Sequence, residues 1–287
     1  MPAENVSVYE RISSEYYALT VSEKKVADFV LAHQQETQFL SISELSQFCN
    51  VAEATVSRFC RRLGYKGYNM FKLAVANAST QHKPSSLPLS GQVEEGDSLS
   101  EVSQKIYGAS VEALSQTLEL LDMNAVKQAA DILETAKRVL CMGQGGSLLI
   151  AEEAAHLFST VCNKFVAIPD SQLQAMSAAA ADPQDVILFV SYSGSNRPML
   201  RTLKRAVDRG VRVILITRFP NSPGTDFADA VLQCGSNQNP LKSGTIPARI
   251  AQLYLLDVLF SELTRRHIGE CKEFRTLIAD ALASEHL

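Results

Sequence analysis

Several features are scarce or absent in this 287-residue sequence. It has no tryptophan and 7% aromatic residues, and it contains no run of the roughly 18 apolar residues that a membrane-spanning helix needs. The first residues, MPAENVSVYE, lack the basic and then apolar order of a secretory signal peptide. The composition of the whole chain, with 46% hydrophobic and 20% charged residues, is typical of a globular protein. We therefore expect a soluble, cytoplasmic protein with no membrane partner.

Cysteine spacing and glycine-loop chemistry exclude further classes of site. The six cysteines form no C-x-x-C pair and have no nearby histidine at zinc spacing, so we expect reduced, mostly buried thiols and no metal site. No glycine-rich loop carries a Walker lysine, which argues against nucleoside triphosphate hydrolysis. We expect no cofactor. The cysteines are Cys49, Cys60, Cys141, Cys162, Cys234 and Cys271.

The net charge of −4 conceals a difference between two parts of the chain. Residues 1–83 have a net charge of +1 and the remainder −5. Residues 54–83 contain no Asp or Glu, and an acid-free basic stretch of this kind is typical of nucleic-acid binding. Its basic residues are Arg58, Arg61, Arg62, Lys66, Lys72 and Lys83.

A chain of this length favours two domains, since single domains commonly span about 100 to 200 residues. The segment TQHKPSSLPLSGQVEEGDS, residues 80–98, is rich in Pro, Ser and Gly and predicts a linker. It divides a helix-turn-helix domain, residues 1–79, from a second domain, residues 99–287. Apolar periodicity in the first domain predicts only helices. They fall around residues 8–18, 22–35, 43–49, 54–63 and 67–78.

After the linker, residues 99–137 predict two helices, and short β-branched runs then alternate with amphipathic helices. The runs are apolar on both faces, which indicates a parallel sheet covered by helices in a three-layer α/β domain. A helix at about 245–266 and a short C-terminal helix follow. The predicted strands are 138–142, 164–168, 185–190, 211–217 and 230–234.

The segment SISELSQFCNVAEATVSRFCRRLG reads as two helices joined by a tight turn. Val56, Phe59, Cys60 and Leu63 are spaced to face inward from the second helix. The opposite face combines hydroxyl and basic side chains, which suit phosphates and base edges in the major groove. An isolated run of arginines would favour a merely solvated surface, but the turn and the acid-free stretch favour double-stranded DNA. The candidate DNA contacts are Thr55, Ser57, Arg58, Arg61, Arg62 and Lys66.

Residues 21–77, notably SEKKVADFVL and ATVSRFCRRLGYKGYNMFKL, resemble the N-terminal domain of the RpiR family of bacterial regulators. The family's turn usually reads Gly-Val-Ser, where this chain has Asn50, Val51 and Ala52. Asn50 tolerates a left-handed conformation, so the turn is preserved. Ala52 at the helix N-cap forgoes a side-chain hydrogen bond worth about 1 kcal/mol, which Glu53 partly offsets through the helix dipole.

Two polar loops follow predicted strands of the second domain. Gly143-Gln144-Gly145-Gly146-Ser147 alone is weak evidence, because such a loop is often a plain turn. Residues 191–196, Ser-Tyr-Ser-Gly-Ser-Asn, come directly after an apolar strand and before a helix started by Pro198. Hydroxyls and helix N-terminal amides can surround phosphate oxygens, so we expect an anion site where these strands end.

Residues of roughly 125–265 resemble the sugar isomerase (SIS) domain, whose hallmark is this pair of loops. The resemblance implies a phosphorylated sugar as ligand. We interpret Arg249 and Asp257 as a salt bridge or a helix-surface pair. Thr245 is a weaker candidate for a contact to the sugar end of the ligand. The other candidate ligand contacts are Gly143, Gly145, Ser147, Ser191, Ser193, Gly194, Ser195 and Asn196.

Together with the residues, these two resemblances imply a DNA-binding transcriptional regulator of carbohydrate metabolism, not an enzyme, that senses a phosphorylated sugar. The alternative is an aldose-ketose isomerase with an accessory helical domain, in which Glu152, Glu153 or His156 would supply the general base. A third possibility is that the helical domain binds another protein instead of DNA, but the basic stretch argues against it. A two-fold operator requires a symmetric protein, so we expect a homodimer or homotetramer.

Overall fold

In a computed structural model, the residues described are 8–80, 93–235 and 246–283. They divide into two compact units, with the boundary after Gly108. Most of the linker predicted at 80–98 lies outside the described residues, so the domain limits 1–79 and 99–287 stay a prediction.

The first unit is helical, as its apolar periodicity predicted. Within the described residues it also contains a short 3-10 turn at Tyr16–Ala18. Its helices are α1 (Val8–Glu15), α2 (Val21–Ala32), α3 (Gln34–Thr37), α4 (Ile42–Phe48), α5 (Glu53–Arg62) and α6 (Tyr68–Thr80). A single apolar cluster joins α1, α2, α4, α5 and α6, and the residues predicted to face inward from α5 are buried in it. Phe59 of α5 meets Phe71 of α6 edge to face, with ring centroids 5.6 Å apart.

Two helices of this unit begin with matching capping boxes. The Thr20 side chain accepts from the backbone N–H of Glu23, and the Glu23 carboxylate accepts from the backbone N–H of Thr20. Ser41 and Glu44 make the same reciprocal pair at α4. Each box satisfies backbone donors that a helix start would otherwise leave without partners, which fixes where α2 and α4 begin.

The second unit is α/β. Helix α7 (Leu99–Leu120) starts before the boundary between the units and continues into the second one. The elements that follow it are α8 (Met123–Glu134), β1 (Val139–Gly143), α9 (Gly146–Ser159), β2 (Phe165–Ala167), α10 (Ser171–Ala180), β3 (Val186–Val190), α11 (Arg197–Asp208), β4 (Arg212–Thr217), a 3-10 turn (Thr225–Phe227), β5 (Ala230–Gln233), α12 (Ile246–Arg266) and α13 (Ile268–Ala283).

The strands form a parallel five-stranded sheet in the order β2-β1-β3-β4-β5 within the described residues. Every residue of β1 and β3 is buried. Apolar residues of α8, α9 and α12 cover one face of the sheet, and those of α10 and α11 cover the other. The predicted three-layer arrangement with a parallel sheet is therefore confirmed.

The cysteines are unpaired, and all are buried except Cys162, which is half-buried. The expected burial of most thiols is thus confirmed. Burial raises the pKa of the Cys49 thiol to about 11, so this thiol stays protonated at neutral pH. In the described ranges no group of histidine, cysteine and carboxylate side chains has the arrangement of a metal site. No helix in these ranges is long and apolar enough to cross a membrane.

An ion pair between a half-exposed arginine and a buried carboxylate joins the starting ends of β1 and β3. Arg138 donates from Nε and Nη2 to the two carboxylate oxygens of Asp185, at 3.1 and 2.6 Å. The Asp185 side chain is fully buried, and it also accepts from the backbone N–H of Asp182 at 2.9 Å. The hydrogen bond from Arg138 is the main reason that the pKa of Asp185 lies below its usual value.

Arg138→Ala is expected to lower the free energy of unfolding by about 2 kcal/mol at neutral pH, because it leaves a buried carboxylate without its charged partner. Because the pKa of folded Asp185 is depressed, the pair stabilises the protein above the carboxyl's unfolded pKa of about 3.9, and this contribution is lost as the pH falls further. Denaturant unfolding at neutral and acidic pH measures both effects. Lys204→Ala, which breaks an exposed pair with Asp208, is the control and should change little.

Candidate functional site

The two polar loops lie side by side because of the strand order. β1 and β3 are hydrogen-bonded neighbours, with Gly143 opposite Val190. The chain leaves β1 toward β2 on one side, whereas β3 and the later strands continue on the other. This is the topological switch point of an open parallel sheet, where ligands typically bind beyond the carboxyl ends of the strands. The loops that follow β1 and β3 therefore share one crevice.

The first loop is tight because α9 begins immediately after β1. A Cβ atom on Gly143 would lie 2.5 Å from the carbonyl oxygen of Ser147, so no larger residue fits there without a shift of the backbone. Gly145 has a positive φ of 56° and precedes the first residue of α9. Ser147 is half-buried in the first turn of that helix. The loop thus brings the α9 N-terminus to the edge of the sheet.

In the second loop, hydroxyl groups accept hydrogen bonds from the loop's own backbone. The Ser191 Oγ accepts from the N–H of Gly194 at 3.2 Å, and the Ser193 Oγ accepts from the N–H of Ser195 at 3.4 Å. Ser191 is buried, while Ser193 and Ser195 are half-buried. Because a hydroxyl has one donor and two acceptor positions, these serines can still donate to an anion.

Asn196 is the N-cap of α11, the helix that follows this loop. Its Oδ1 accepts from the backbone N–H of Met199 at 3.4 Å, and proline occupies the first turn as expected. The predicted ligand contact at Asn196 is thus a residue that shapes the helix start. The N-termini of α9 and α11 both lie where β1 and β3 end, so the positive ends of two helix dipoles adjoin one crevice.

The turn after β4 supports the second loop. The sequence analysis did not identify this turn as part of the site. Gly194 has a φ of 58°, and a Cβ on it would lie 2.0 Å from the Ser222 Oγ. Its carbonyl oxygen accepts from the backbone N–H of Gly224 at 2.7 Å. Thr217, the last residue of β4, donates from Oγ1 to the carbonyl of Tyr192 at 3.2 Å. The signal available in the sequence was that β4 ends at the same edge of the sheet as β1 and β3.

Two further residues adjoin the first loop. The Gln174 side chain is buried, and its Nε2 donates to the carbonyls of Gly143 and Ile168, both at 2.8 Å. The Arg249 guanidinium lies 3.5 Å from where a Cβ on Gly146 would be, so it faces the first turn of α9. Asp257 is exposed and lies eight residues, or about 12 Å of helix, further along α12. The interpretation of Arg249 as a partner of Asp257 is not supported by this geometry.

Other sequence candidates lie elsewhere. Thr245 lies outside the described residues. Glu152, Glu153 and His156, the candidate bases of the isomerase alternative, follow the first turn of α9, and Glu153 and His156 are exposed. The described loop residues therefore offer hydroxyls, backbone amides and a nearby guanidinium, which is the chemistry of an anion site.

The basic face of α5 lies on the first unit. Arg58, Arg61 and Lys66 are exposed, and Ser57 is half-buried. These are the predicted DNA contacts that the structure leaves accessible. Exposed guanidiniums on one helix face can reach phosphates or base edges.

Thr55 and Arg62 differ from the sequence expectation. Thr55 is buried with 6% of its surface exposed, and its Oγ1 accepts from Nη2 of Arg58 at 3.2 Å, so the prediction that it lies on the open face was wrong. Helical periodicity places Thr55 at the edge of the apolar stripe, where neighbouring helices decide its burial. Arg62 is exposed but held internally: its Nη1 donates to the Ala18 carbonyl at 2.8 Å, and its Nε lies 3.6 Å from the Glu23 carboxylate.

The turn before α5 has the expected backbone. Asn50 has a φ of 49°, the left-handed conformation predicted for it. Ala52 is the N-cap and makes no side-chain cap bond, so the predicted loss is confirmed. Glu53, in the first turn, accepts from the Ser43 Oγ at 2.5 Å, which adds a link between α4 and α5.

Comparison with protein families gives two matches. Residues 6–82 match the helix-turn-helix domain of the rpiR family, and residues 132–262 match the SIS domain. A helix-turn-helix transcriptional regulator of Haemophilus influenzae is 31% identical over 264 residues, which cover 92% of each chain. The bifunctional protein glk of Burkholderia thailandensis is 34% identical over 254 residues, 88% of this chain and 39% of that protein.

A solved structure is similar over nearly the whole chain. The NanR protein of Vibrio vulnificus, complexed with ManNAc-6P, is 25% identical and covers 98% of this chain and 99% of its own, with a TM-score of 0.64. The sugar isomerase domain of an RpiR transcription factor from Sphaerobacter thermophilus covers 63% of this chain and 99% of its own, at 20% identity and a TM-score of 0.58. The similarity to the Sphaerobacter thermophilus domain is one of fold.

Gly194→Ala is expected to lower the free energy of unfolding by about 3 kcal/mol, because the new Cβ overlaps Ser222 and the residue has a positive φ. The control is Gly210→Ala, where φ is also positive but the nearest atom to the new Cβ is 3.9 Å away, so about 1 kcal/mol is expected. Denaturant unfolding compares the two, and adding Ser222→Gly should recover part of the loss. Equal costs at both glycines would contradict the overlap.

Ala52→Ser should stabilise α5, because Ala52 has the extended backbone of an N-cap, with φ −75° and ψ 148°. A serine there gains a cap bond worth about 1 kcal/mol, which slows hydrogen exchange of the α5 amides about fivefold. Mass spectrometry of exchanged peptides measures this change. Ala54→Ser, two residues further along in the first turn of the same helix, should give no such protection. Equal protection in both variants would rule out capping as the cause.

Proposed function

This chain belongs to the RpiR family of helix-turn-helix transcriptional regulators with a SIS domain, and on that premise we propose what its two units bind. Helix α5 binds double-stranded operator DNA. The loops after β1 and β3 bind a phosphorylated sugar, whose presence changes the affinity for DNA. The protein regulates carbohydrate metabolism from the cytoplasm and acts without catalysing a reaction on its ligand.

The observation that carries the ligand half is the meeting of two helix N-termini and a hydroxyl-rich loop at the switch point of the sheet. Ser147 from the first loop and Ser191, Ser193 and Ser195 from the second would donate to phosphate oxygens. Arg249, which faces the first turn of α9, adds a positive charge. The ManNAc-6P complex of NanR, similar over nearly the whole chain, supports a sugar phosphate as the class of ligand.

The DNA half rests on the exposed part of the basic face of α5. Ser57, Arg58, Arg61 and Lys66 are the residues we assign to DNA contacts, with Arg58 and Arg61 as the candidates for base edges. The relative from Haemophilus influenzae, a helix-turn-helix transcriptional regulator, supports DNA as the target. Two-fold operators are read by symmetric proteins, so we propose a homodimer or homotetramer as the active form.

A titration of DNA binding with sugar phosphates tests both halves. Fluorescence anisotropy with a duplex from the region upstream of the protein's own gene should show tight binding at low salt, where phosphate contacts are strongest. Phosphorylated sugars should change this affinity, whereas the same sugars without phosphate should not. No binding at low salt would remove the DNA proposal, and equal effects of both sugar sets would remove the phosphate site.

The double variant Ser193→Ala, Ser195→Ala should bind the active sugar phosphate about a hundredfold or more weakly, because each of the two lost hydrogen bonds to a charged group contributes about 1.5 to 3 kcal/mol. Its affinity for DNA in the absence of ligand should match that of the parent protein. Ser261→Ala, an exposed serine on α12, is the control and should leave the response to ligand intact. NMR spectra of the same mixtures detect isomerisation, and a new sugar phosphate isomer would establish the enzyme alternative.

A further inference from the structure

The three arginines of α5 differ in what holds them. Arg61 is exposed, Arg58 donates to Thr55, and Arg62 is bound to two groups of the first unit. One of those groups, the Glu23 carboxylate, belongs to α2 and has 7% of its side chain exposed. An acidic side chain therefore lies behind a helix face that otherwise carries basic residues.

Glu23 is held in place by more than Arg62. Its Oε2 accepts from the Thr20 backbone N–H at 2.9 Å and from the Thr20 Oγ at 2.8 Å, which is one half of the α2 capping box. Burial raises the pKa of Glu23, but the hydrogen bonds from Thr20 and the charges of Arg62 and Arg58 outweigh this effect and lower it. The carboxylate is thus charged at neutral pH and faces Arg62 from a fixed position.

We infer that Glu23 is a positioning residue that withholds Arg62 from DNA phosphates, so that α5 presents Arg58 and Arg61 but not Arg62. This inference rests on the proposed DNA-binding function. To reach a phosphate, Arg62 must give up its bond to the Ala18 carbonyl and leave a mostly buried carboxylate without its counter-charge. Within the described residues Arg61 has no such bond to give up, so DNA engages it first.

The consequence is a limit on binding to arbitrary sequences. Affinity that comes only from phosphate contacts grows with each cation that a protein can offer, and it carries no sequence information. By neutralising Arg62 internally, Glu23 removes one cation from that total. Contacts of Arg58 and Arg61 to base edges then make a larger share of the binding.

Glu23→Gln tests this inference with little change to the fold, because glutamine at the same position also completes a capping box. Binding of the full chain to a short duplex of arbitrary sequence is measured by anisotropy over a range of salt concentrations. The variant should bind more tightly at low salt, and its slope of log K against log salt should steepen by about 0.9, the contribution of one added phosphate contact. An unchanged slope would overturn the inference.

Arg62→Ala provides a second test that does not depend on Glu23→Gln folding well. In the parent protein it should leave the slope unchanged, whereas Lys66→Ala, which removes an exposed cation assigned to DNA but not to base edges, should make the slope shallower by about 0.9. Combined with Glu23→Gln, it should cancel the steepening. A loss of slope from Arg62→Ala alone would show that Arg62 already contacts DNA and that Glu23 does not withhold it.

The matched control is Glu44→Gln, which changes the same position of the α4 capping box. In the described part of the chain, Glu44 forms no ion pair with an arginine, and Lys72, whose charge helps to lower the pKa of Glu44, donates to the Phe39 carbonyl. The substitution of Glu44 should therefore not alter the slope. An equal steepening in both variants would mean that net charge, not the release of Arg62, is responsible, and would overturn the inference. Failure of the parent protein to bind any duplex at low salt would remove the proposed function itself, with the inference.

Discussion

The pairing of β1 with β3 is the constraint on which the ligand site depends. Because these strands are parallel neighbours, their carboxyl ends lie at one edge, and the helix that follows each strand starts there. Parallel neighbours are about 4.8 Å apart, so two helix N-termini and two polar loops come within reach of one small anion. The Arg138 and Asp185 pair fixes the opposite ends of the same two strands. A shift of register between them would displace both loops together.

In the helical unit, internal contacts decide which polar side chains of α5 and of the turn after it are available. Thr55 is buried and accepts from Arg58, and Arg62, although exposed, lies against Glu23 and the Ala18 carbonyl. Arg61, and Lys66 in the turn after α5, are exposed and have no such contact within the described residues. A face that looks uniformly basic in the sequence therefore contains cations of different kinds. Some of them already have internal partners, and others can meet a ligand at no internal cost.

Much of the fold follows from local patterns in the sequence. Apolar periodicity predicted the helices of the first unit, and short runs that are apolar on both faces predicted the strands of the parallel sheet. Asn50 could be assigned a left-handed backbone because asparagine tolerates that conformation better than most residues. Ala52 could be recognised as a weak cap for a similarly local reason. In each case the property belongs to one residue or to its near neighbours.

What could not be predicted depends on contacts between distant segments. Thr55 lies at the border of the apolar stripe, and helical spacing does not tell whether another helix covers it. Gln174 donates to the carbonyl of Gly143, which is 31 residues away. Ser222 belongs to the site only because it lies close to Gly194. Arg249 faces α9 only because α12 packs beside that helix. No local pattern reports these approaches, although the shared edge of the parallel strands indicates where to look for them.

The two units also differ in the chain length that their backbone hydrogen bonds enclose. Within the helices of the first unit these bonds join residues about four apart, whereas the pairing of β1 with β3 brings together residues 47 apart, such as Val139 and Val186. Closing long loops costs entropy before any contact repays it, so helical units rich in local contacts fold faster than parallel sheets. The helical unit also comes first along the chain. During synthesis, the α5 surface should therefore be complete before the sheet has formed, so a newly made chain passes through a stage at which that surface exists without the crevice at the sheet edge.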